Sequence, residues 1–252
     1  MEAFSEEEWA SQSLWSKVAG SSKAGVLTAA LQGAPACNDV LEIGTYCGYT
    51  ALRMAMALPG VRVQTLEVDP VNVVVARNIV ALAGLSHRVE VWTGHSKYLL
   101  GRLATGPGSP GRRKFGALFM DRWGSQYHED FASLEALDLL APGSLVVADN
   151  VLWTGASLFL WRVMAAGAHR TKLVRVREMA TGSEDFMSVS VCSLLPTVAP
   201  PEPPPPELMQ LHWEAERTRI RVYGGGRSMA QGERAVFAAK MQGDLEESLL
   251  RL

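Results

Sequence analysis

The sequence predicts an α/β domain with a mostly parallel sheet. Two observations carry this. Short apolar runs such as DVLEI and GALFMD alternate with longer, helix-patterned stretches from residue 39 to residue 193, the signature of strands joined by helical crossovers. The runs also close on Gly, Asp or Glu, which mark strand ends at polar turns.

The elements follow in order. Helical text runs from Glu6 to Leu31. Asp39 to Ile43 reads as a short buried strand closed by Gly44, and a helix follows from Gly48 to Leu58. Val61 to Glu67 alternates as a strand. Pro70 opens a helix through Ala83, where the missing N–H of proline does no harm in the first turn. Val89 to Thr93 and Ala117 to Asp121 are strands, and Gly106 to Arg113 is a loop. Tyr127 to Leu140 is a helix with Phe131, Leu134 and Leu137 on one side. Ser144 to Ala148 is a strand ending at Asp149-Asn150, followed by a helix from Ala156 to Ala166. Leu173 to Glu178 and Phe186 to Ser193 close as strands.

Composition bounds the function. The 252 residues are 48% hydrophobic, enough for a full core. With 24 basic and 26 acidic side chains, bulk electrostatics gives no nucleic-acid binder and no polybasic membrane anchor. No apolar run reaches the roughly 20 residues that span a bilayer; the best, Ala156 to Ala168, is broken by Arg162. The N-terminal MEAFSEEEWA lacks the apolar stretch of a secretory signal. Three cysteines (Cys37, Cys47, Cys192) without metal spacing suit a reducing compartment, so the expected location is cytoplasmic.

Seven of the 13 prolines fall between Pro196 and Pro206. Such a run favours polyproline II. It divides the chain into a main domain (1–195), a proline-rich linker (196–206) and a helical tail (207–252). The tail has two helix-like stretches, Leu208 to Tyr223 and Met229 to Leu252, around Gly224-Gly225-Gly226. It holds seven acids and seven bases, so it is no charged arm. Val236, Phe237, Met241, Leu245 and Leu249 lie near helical spacing. Docking on the main domain is the expected use of that face, and a helix for a protein partner is the alternative.

In open α/β sheets ligands bind beyond the carboxyl ends of strands. The first such end is Glu42-Ile43-Gly44-Thr45-Tyr46-Cys47-Gly48-Tyr49, whose glycines permit a tight turn into a helix N-terminus. Its spacing is not the dinucleotide pattern G-x-G-x-x-G, and a plain tight turn fits equally well. The second end is Glu67, 23 residues after Gly44, a spacing that suits a carboxylate for two ribose hydroxyls; a solvated strand-end carboxylate is the competing use, less favoured beside the glycine turn. The third is Asp121 with Asp149-Asn150, each closing an apolar strand. Two carboxylates and an amide are a hard donor set of the kind that holds Mg²⁺ with substrate oxygens; helix capping is the competing use. The five histidines show no ligand spacing. Ser125, Tyr127 and His128 cluster without a G-x-S-x-G elbow. Trp153 is placed to wall a pocket or to pack in the core.

The phrases VLEIGTYCGYTALRMA, LEVDP, MDRWGSQY and VVADNVLWTGA resemble the catechol O-methyltransferase family, over roughly Trp9 to Leu195. The resemblance implies a Rossmann-like seven-stranded sheet with an antiparallel last strand, S-adenosylmethionine as methyl donor, Mg²⁺, and a small catechol-like acceptor. It implies that Gly44, Tyr46 and Gly48 line the methionine end of the donor, with Glu42 and Tyr49 in the same turn, and that Glu67 takes the ribose. Ser96 is similar to the family's adenine-contacting serine, and Trp123 keeps an aromatic near the adenine. Asp121, Asp149 and Asn150 match the three Mg²⁺ ligands and carry the catalysis. EEWASQSLWSKVAGSSKAG resembles the segment that covers donor and substrate.

The sequence departs from the family at several positions. Lys97 and Arg122 stand where a glutamine and a histidine are usual. Gly124 stands where the family carries its general-base lysine. The position of the glutamate that grips one catechol hydroxyl aligns with Arg175, with Glu178 and Glu184 as substitutes. Lys17 and His128 are the other basic candidates for proton removal. The expected function is O-methyl transfer to a catechol-like small molecule. The alternative is a donor-binding interaction protein that has lost efficient catalysis. A nicotinamide dehydrogenase is disfavoured by the missing glycine pattern.

Overall fold

The computed structural model describes residues 18–33, 39–105, 114–153, 155–165, 169–179, 184–192, 203–225 and 230–250. Helix α1 (Ser21–Gln32) precedes β1 (Asp39–Ile43), α2 (Tyr49–Ala57), β2 (Arg62–Glu67), α3 (Pro70–Leu82) and β3 (Val89–Thr93). Then come α4 (Ser96–Thr105), β4 (Phe115–Met120), a 3₁₀ turn at Gly124–Gln126, α5 (Tyr127–Ala136), β5 (Leu140–Ala148) and α6 (Ser157–Ala165). β6 (His169–Arg177), β7 (Glu184–Cys192), α7 (Pro206–Tyr223) and α8 (Gln231–Leu250) complete the order.

One seven-stranded sheet runs β3-β2-β1-β4-β5-β7-β6, with β7 antiparallel to both neighbours and the other pairs parallel. Alternation along each strand divides the core. Leu41, Ile43, Leu118, Met120, Val146 and Ala148 face α4 to α8, while Val40, Ala117, Phe119, Leu145 and Val147 face α1 to α3. Chain order reverses direction between β1 and β4, and a crevice opens at such a switch point.

The structure corrects several sequence expectations. Helix α4 went unread, because SKYLLGRLAT is short and carries Gly101 inside it. The helix expected to reach Leu140 ends at Ala136, and β5 begins at Leu140, paired with Phe115 across a register shift. β6 starts at His169 rather than Leu173, as an edge strand with basic residues interleaved. Residues 1–17, with Lys17 and most of the segment expected to cover the site, lie outside the described residues, as do Cys37 and most of the proline run.

The tail is docked. Leu208, Leu211 and Ala215 of α7 and Phe237, Met241 and Leu245 of α8 are buried in the same cluster as Phe159 and Leu160 of α6. Val236 faces outward. The side chain of Leu249 lies outside the described part. Phe237, Met241 and Leu245 thus dock on the protein's own core, as the apolar spacing of the tail predicts, while Val236 stays exposed. Among the described residues no helix is long and apolar enough to cross a membrane.

Candidate active site

The donor-side turn is built by backbone constraint. Gly44 has φ +103°, and a Cβ there would lie 1.9 Å from the Asp121 carbonyl oxygen. Only glycine lets the end of β1 pass so close to the end of β4. Tyr46 holds a left-handed backbone at φ 48°, a strained state for a non-glycine residue that costs of order 1–3 kcal/mol. Its N–H donates to Glu67 at 2.8 Å, and Asp69 N–H donates to the other Glu67 oxygen at 2.9 Å. An ionised carboxylate has about four acceptor sites, so these bonds orient Glu67 without exhausting it. Gly48, at φ 84°, caps α2 and packs against Ala76. Tyr49 is the first residue of α2 and is buried.

Glu42 stands behind this turn rather than in it. It is fully buried and accepts hydrogen bonds from the Thr50 and Thr65 hydroxyls. Removal from water raises its carboxyl to about 7, against the lowering effect of those hydroxyls.

The Ser96 hydroxyl donates to Asp130 and accepts from Arg122, both at 2.6 Å. Arg122 also pairs with Asp130 at 3.2 Å and bonds Gln126. The arginine that departs from the family pattern is thus a structural tie, and the single hydroxyl hydrogen of Ser96 is already used. Trp123 precedes the Gly124 turn, partly buried.

The carboxylate side forms where β4 and β5 end together. Met120 pairs with Ala148 in register, and Asp149 N–H donates to the Met120 carbonyl at 2.9 Å. Asp121 and Asp149 therefore start side by side. Burial pushes both carboxyls upward, and the charge of Asp149 raises Asp121 further; Asp149 reaches about 6. Asn150 has φ 52°, the second strained residue at the crevice. Its side-chain amide donates to Asp185, which orients the group, and its N–H donates to Asp149 at 2.8 Å.

Lys23 of α1 is the residue that sequence reasoning missed. It is 2% exposed and its ammonium meets Asp149 at 2.9 Å, Glu178 at 2.6 Å and Asp185 at 2.7 Å. Burial alone would lower its pKa, but the three carboxylates outweigh it and raise it well above the ordinary lysine value. Lys23 thus stays a cation and is no proton acceptor here. A signal was available: Lys23, Leu27 and Leu31 lie four residues apart on the buried face of α1. Tyr127 was also underread. It is fully buried, and its hydroxyl lies 3.0–3.1 Å from the carbonyls of Met120, Arg122 and Asp149, tying the two strand ends together.

The acceptor-grip alignment needs correction. Arg175 is on the exposed edge strand, paired with exposed Glu184. Glu178 enters the site instead, through Lys23. His128 stacks edge-on with His212 of α7 at 4.9 Å, and Ser125 next to Gly124 donates to Glu216 of α7. Among the described residues no three His, Cys, Asp or Glu side chains form a metal-binding group; Asp121, Asp149 and Asn150 bring together two carboxylates and an amide.

Comparison with known proteins places this geometry. The O-methyltransferase family profile matches residues 6–194. A catechol O-methyltransferase from Sus scrofa is 35% identical over 155 residues, covering 58% of this chain and 79% of that protein. Catechol O-methyltransferase B of Danio rerio is 34% identical over 155 residues, 61% of this chain and 58% of its own length. The human transmembrane O-methyltransferase is 38% identical over 158 residues, 62% of this chain and 51% of its own. The match thus spans only about half to four fifths of these relatives. Among solved structures, the O-methyltransferase TomG from Streptomyces achromogenes, in complex with SAM, superposes with a TM-score of 0.61 at 24% identity, over 76% of this chain and 89% of that one. An O-methyltransferase from Bacillus cereus in complex with SAH gives 0.61 at 22% identity, over 76% and 90%. The chain belongs to the S-adenosylmethionine-dependent O-methyltransferase family, in its catechol O-methyltransferase-like class.

Proposed function

We propose that this protein transfers the methyl group of S-adenosylmethionine to a hydroxyl of a small catechol-like acceptor held on Mg²⁺. The observation that carries the reading is the pairing of Asp121 and Asp149 at adjacent strand ends, beside the strained Tyr46 turn. Burial raises Asp121, and the charge of Asp149, although already paired with Lys23, raises it further; this uncompensated repulsion supports a further cation bound at the two strand ends. The donor set fits Mg²⁺: two carboxylates and an amide oriented by Asp185 leave room for water and acceptor oxygens. When bound, Mg²⁺ would lower the pKa of the acceptor hydroxyl and orient it.

In the transfer, an oxygen–carbon bond forms as the carbon–sulfur bond of the sulfonium breaks, in line, and the acceptor proton leaves to solvent. Charge is neutralised, so the protein contributes chiefly by positioning and by excluding water. Glu67 would take the ribose hydroxyls, and the Gly44–Gly48 turn would carry the methionine end. Asp121, Asp149 and Asn150 would fix the acceptor side, and Glu178 would grip one acceptor hydroxyl. No lysine stands at Gly124, Lys23 is held as a cation, and His128 faces α7. Among the described residues this leaves solvent to take the proton, and the rate should then rise with pH.

The test is turnover of labelled donor on a catechol panel across pH 6 to 10. Activity lost in chelator, restored by Mg²⁺ and rising with pH supports the reading. Full activity in chelator overturns the metal assignment, and a rate flat with pH overturns solvent as proton acceptor.

A further inference from the structure

The family match ends at residue 194, so α7 and α8 lie beyond it. These helices nevertheless pack on the loop that follows Asn150. A Cβ on Gly155 would lie 2.2 Å from the Ala215 Cβ on α7 and 3.6 Å from the Phe237 ring on α8. In that loop, three residues after Asn150, stands Trp153, and the guanidinium carbon of Arg234 on α8 is 4.5 Å from its ring centroid. Arg234 shares a helix face with Phe237, Met241 and Leu245, three, seven and eleven residues on, and those three anchor α8 in the core. Arg234 is half-buried, and the carboxylates that act on it are Glu178 and Asp185. Both of those contact Lys23, which holds Asp149. The extension therefore stacks a cation on Trp153, three residues past Asn150, where the carboxylates Glu178 and Asp185 act on it.

We propose that Arg234 is a specificity-determining residue that selects aromatic acceptors bearing a carboxylate over those bearing an ammonium group. The inference rests on the reading that Asp121, Asp149 and Asn150 hold the acceptor hydroxyls. A guanidinium stacked on an indole is already ordered, and its planar fork matches a carboxylate in bidentate geometry. An ammonium approaching the same group meets like charge, and like-charge juxtaposition discriminates strongly against a wrong partner. Tyr46, Glu67 and Asp121 lie on other elements, so a change at Arg234 leaves the donor turn in place.

The experiment uses the full chain, wild type beside Arg234→Gln, Arg234→Lys and Arg234→Glu. Three catechols sharing one ring carry a carboxylate, a neutral group or an ammonium. Both kcat/KM with labelled donor and calorimetric affinity are measured, with thermal melting as the check on folding. The expected wild-type order is carboxylate, neutral, ammonium, with at least tenfold between the extremes in both readouts. Arg234→Gln should bring the extremes within about threefold while leaving the neutral catechol within about threefold of wild type. Arg234→Lys should keep the order, and Arg234→Glu should invert it. Equal loss on all three catechols would make Arg234 a packing residue and overturn the inference. So would a wild type without charge preference, even with brisk methylation. Charge-ordered binding that depends on Arg234, without methylation of any catechol, would uphold the inference and overturn the proposed reaction.

Discussion

Glu42→Gln gives a sharp test of how the donor-side turn is supported. In the folded protein Glu42 titrates at about 7 instead of 4.5, because burial penalises its charged form more than the Thr50 and Thr65 hydroxyls favour it. The folded-state value is raised above the unfolded one. The associated stability is therefore fully present below pH 4.5 and is lost as pH rises through about 7. At 1.36 kcal/mol per unit, that shift amounts to about 3 kcal/mol. Glutamine has nearly the same shape and no charge to desolvate, but exchanges one acceptor for a donor, at about 1 kcal/mol. The variant should be as stable as wild type, or slightly less, at pH 4.5, and more stable by about 2 kcal/mol at pH 8. Urea unfolding at the two pH values measures this, and the difference between proteins cancels the other titrating groups. A wild-type-minus-variant difference that is identical at both pH values would refute the argument, since Glu42 would then carry no penalty for its charge.

Three other outcomes follow from the site and the tail. Glu67→Ala should weaken S-adenosylmethionine binding by about 1–3 kcal/mol by calorimetry, because it removes a charged acceptor and frees the Tyr46 N–H; unchanged affinity would remove Glu67 from the donor site. Lys23→Met leaves Asp149, Glu178 and Asp185 facing one another without their shared cation and should cost about 3–5 kcal/mol, with Mg²⁺ raising Tm more in the variant than in wild type. An unchanged Tm would show that the buried ion cluster is not under charge stress. A chain ending near Leu195 uncovers the surface now buried by Leu208, Leu211, Phe237, Met241 and Leu245. Each such side chain is worth about 1.5–3 kcal/mol when buried, against a total stability of about 5–15 kcal/mol. The truncated protein should therefore be poorly soluble or unfolded by circular dichroism, and a soluble product with the full-length Tm would show that the main domain stands alone.

The sequence by itself determined three neighbouring parallel strands, β1, β2 and the edge strand β3, and the polar groups at strand ends. β1 and β3 appear with the expected boundaries and β2 begins one residue later than expected, because each is a short run with strand patterning bounded by turns. The same local pattern pointed to Gly44, Glu67, Asp121, Asp149 and Asn150 at the strand ends, where ligands bind in open α/β sheets, though a tight turn or helix capping would use the same residue types. Where a partner across the sheet sets the boundary, local pattern failed: β5 starts at Leu140 because Phe115 pairs with it, and β6 reaches back to His169 because Cys192 does.

Tertiary structure alone decided who neutralises whom. Lys23 lies 126 residues from Asp149 and 155 from Glu178, so nothing local to any of them announces the cluster. Glu178, just past the end of β6, is buried against Lys23, while Arg175 stays on the exposed edge strand. The tail's helices were legible from their apolar spacing, but spacing cannot say which surface an apolar face covers. That is set by the complementary groove on α6 and the loop after Asn150, where Gly155 leaves room for Ala215, and this packing carries Arg234 to Trp153.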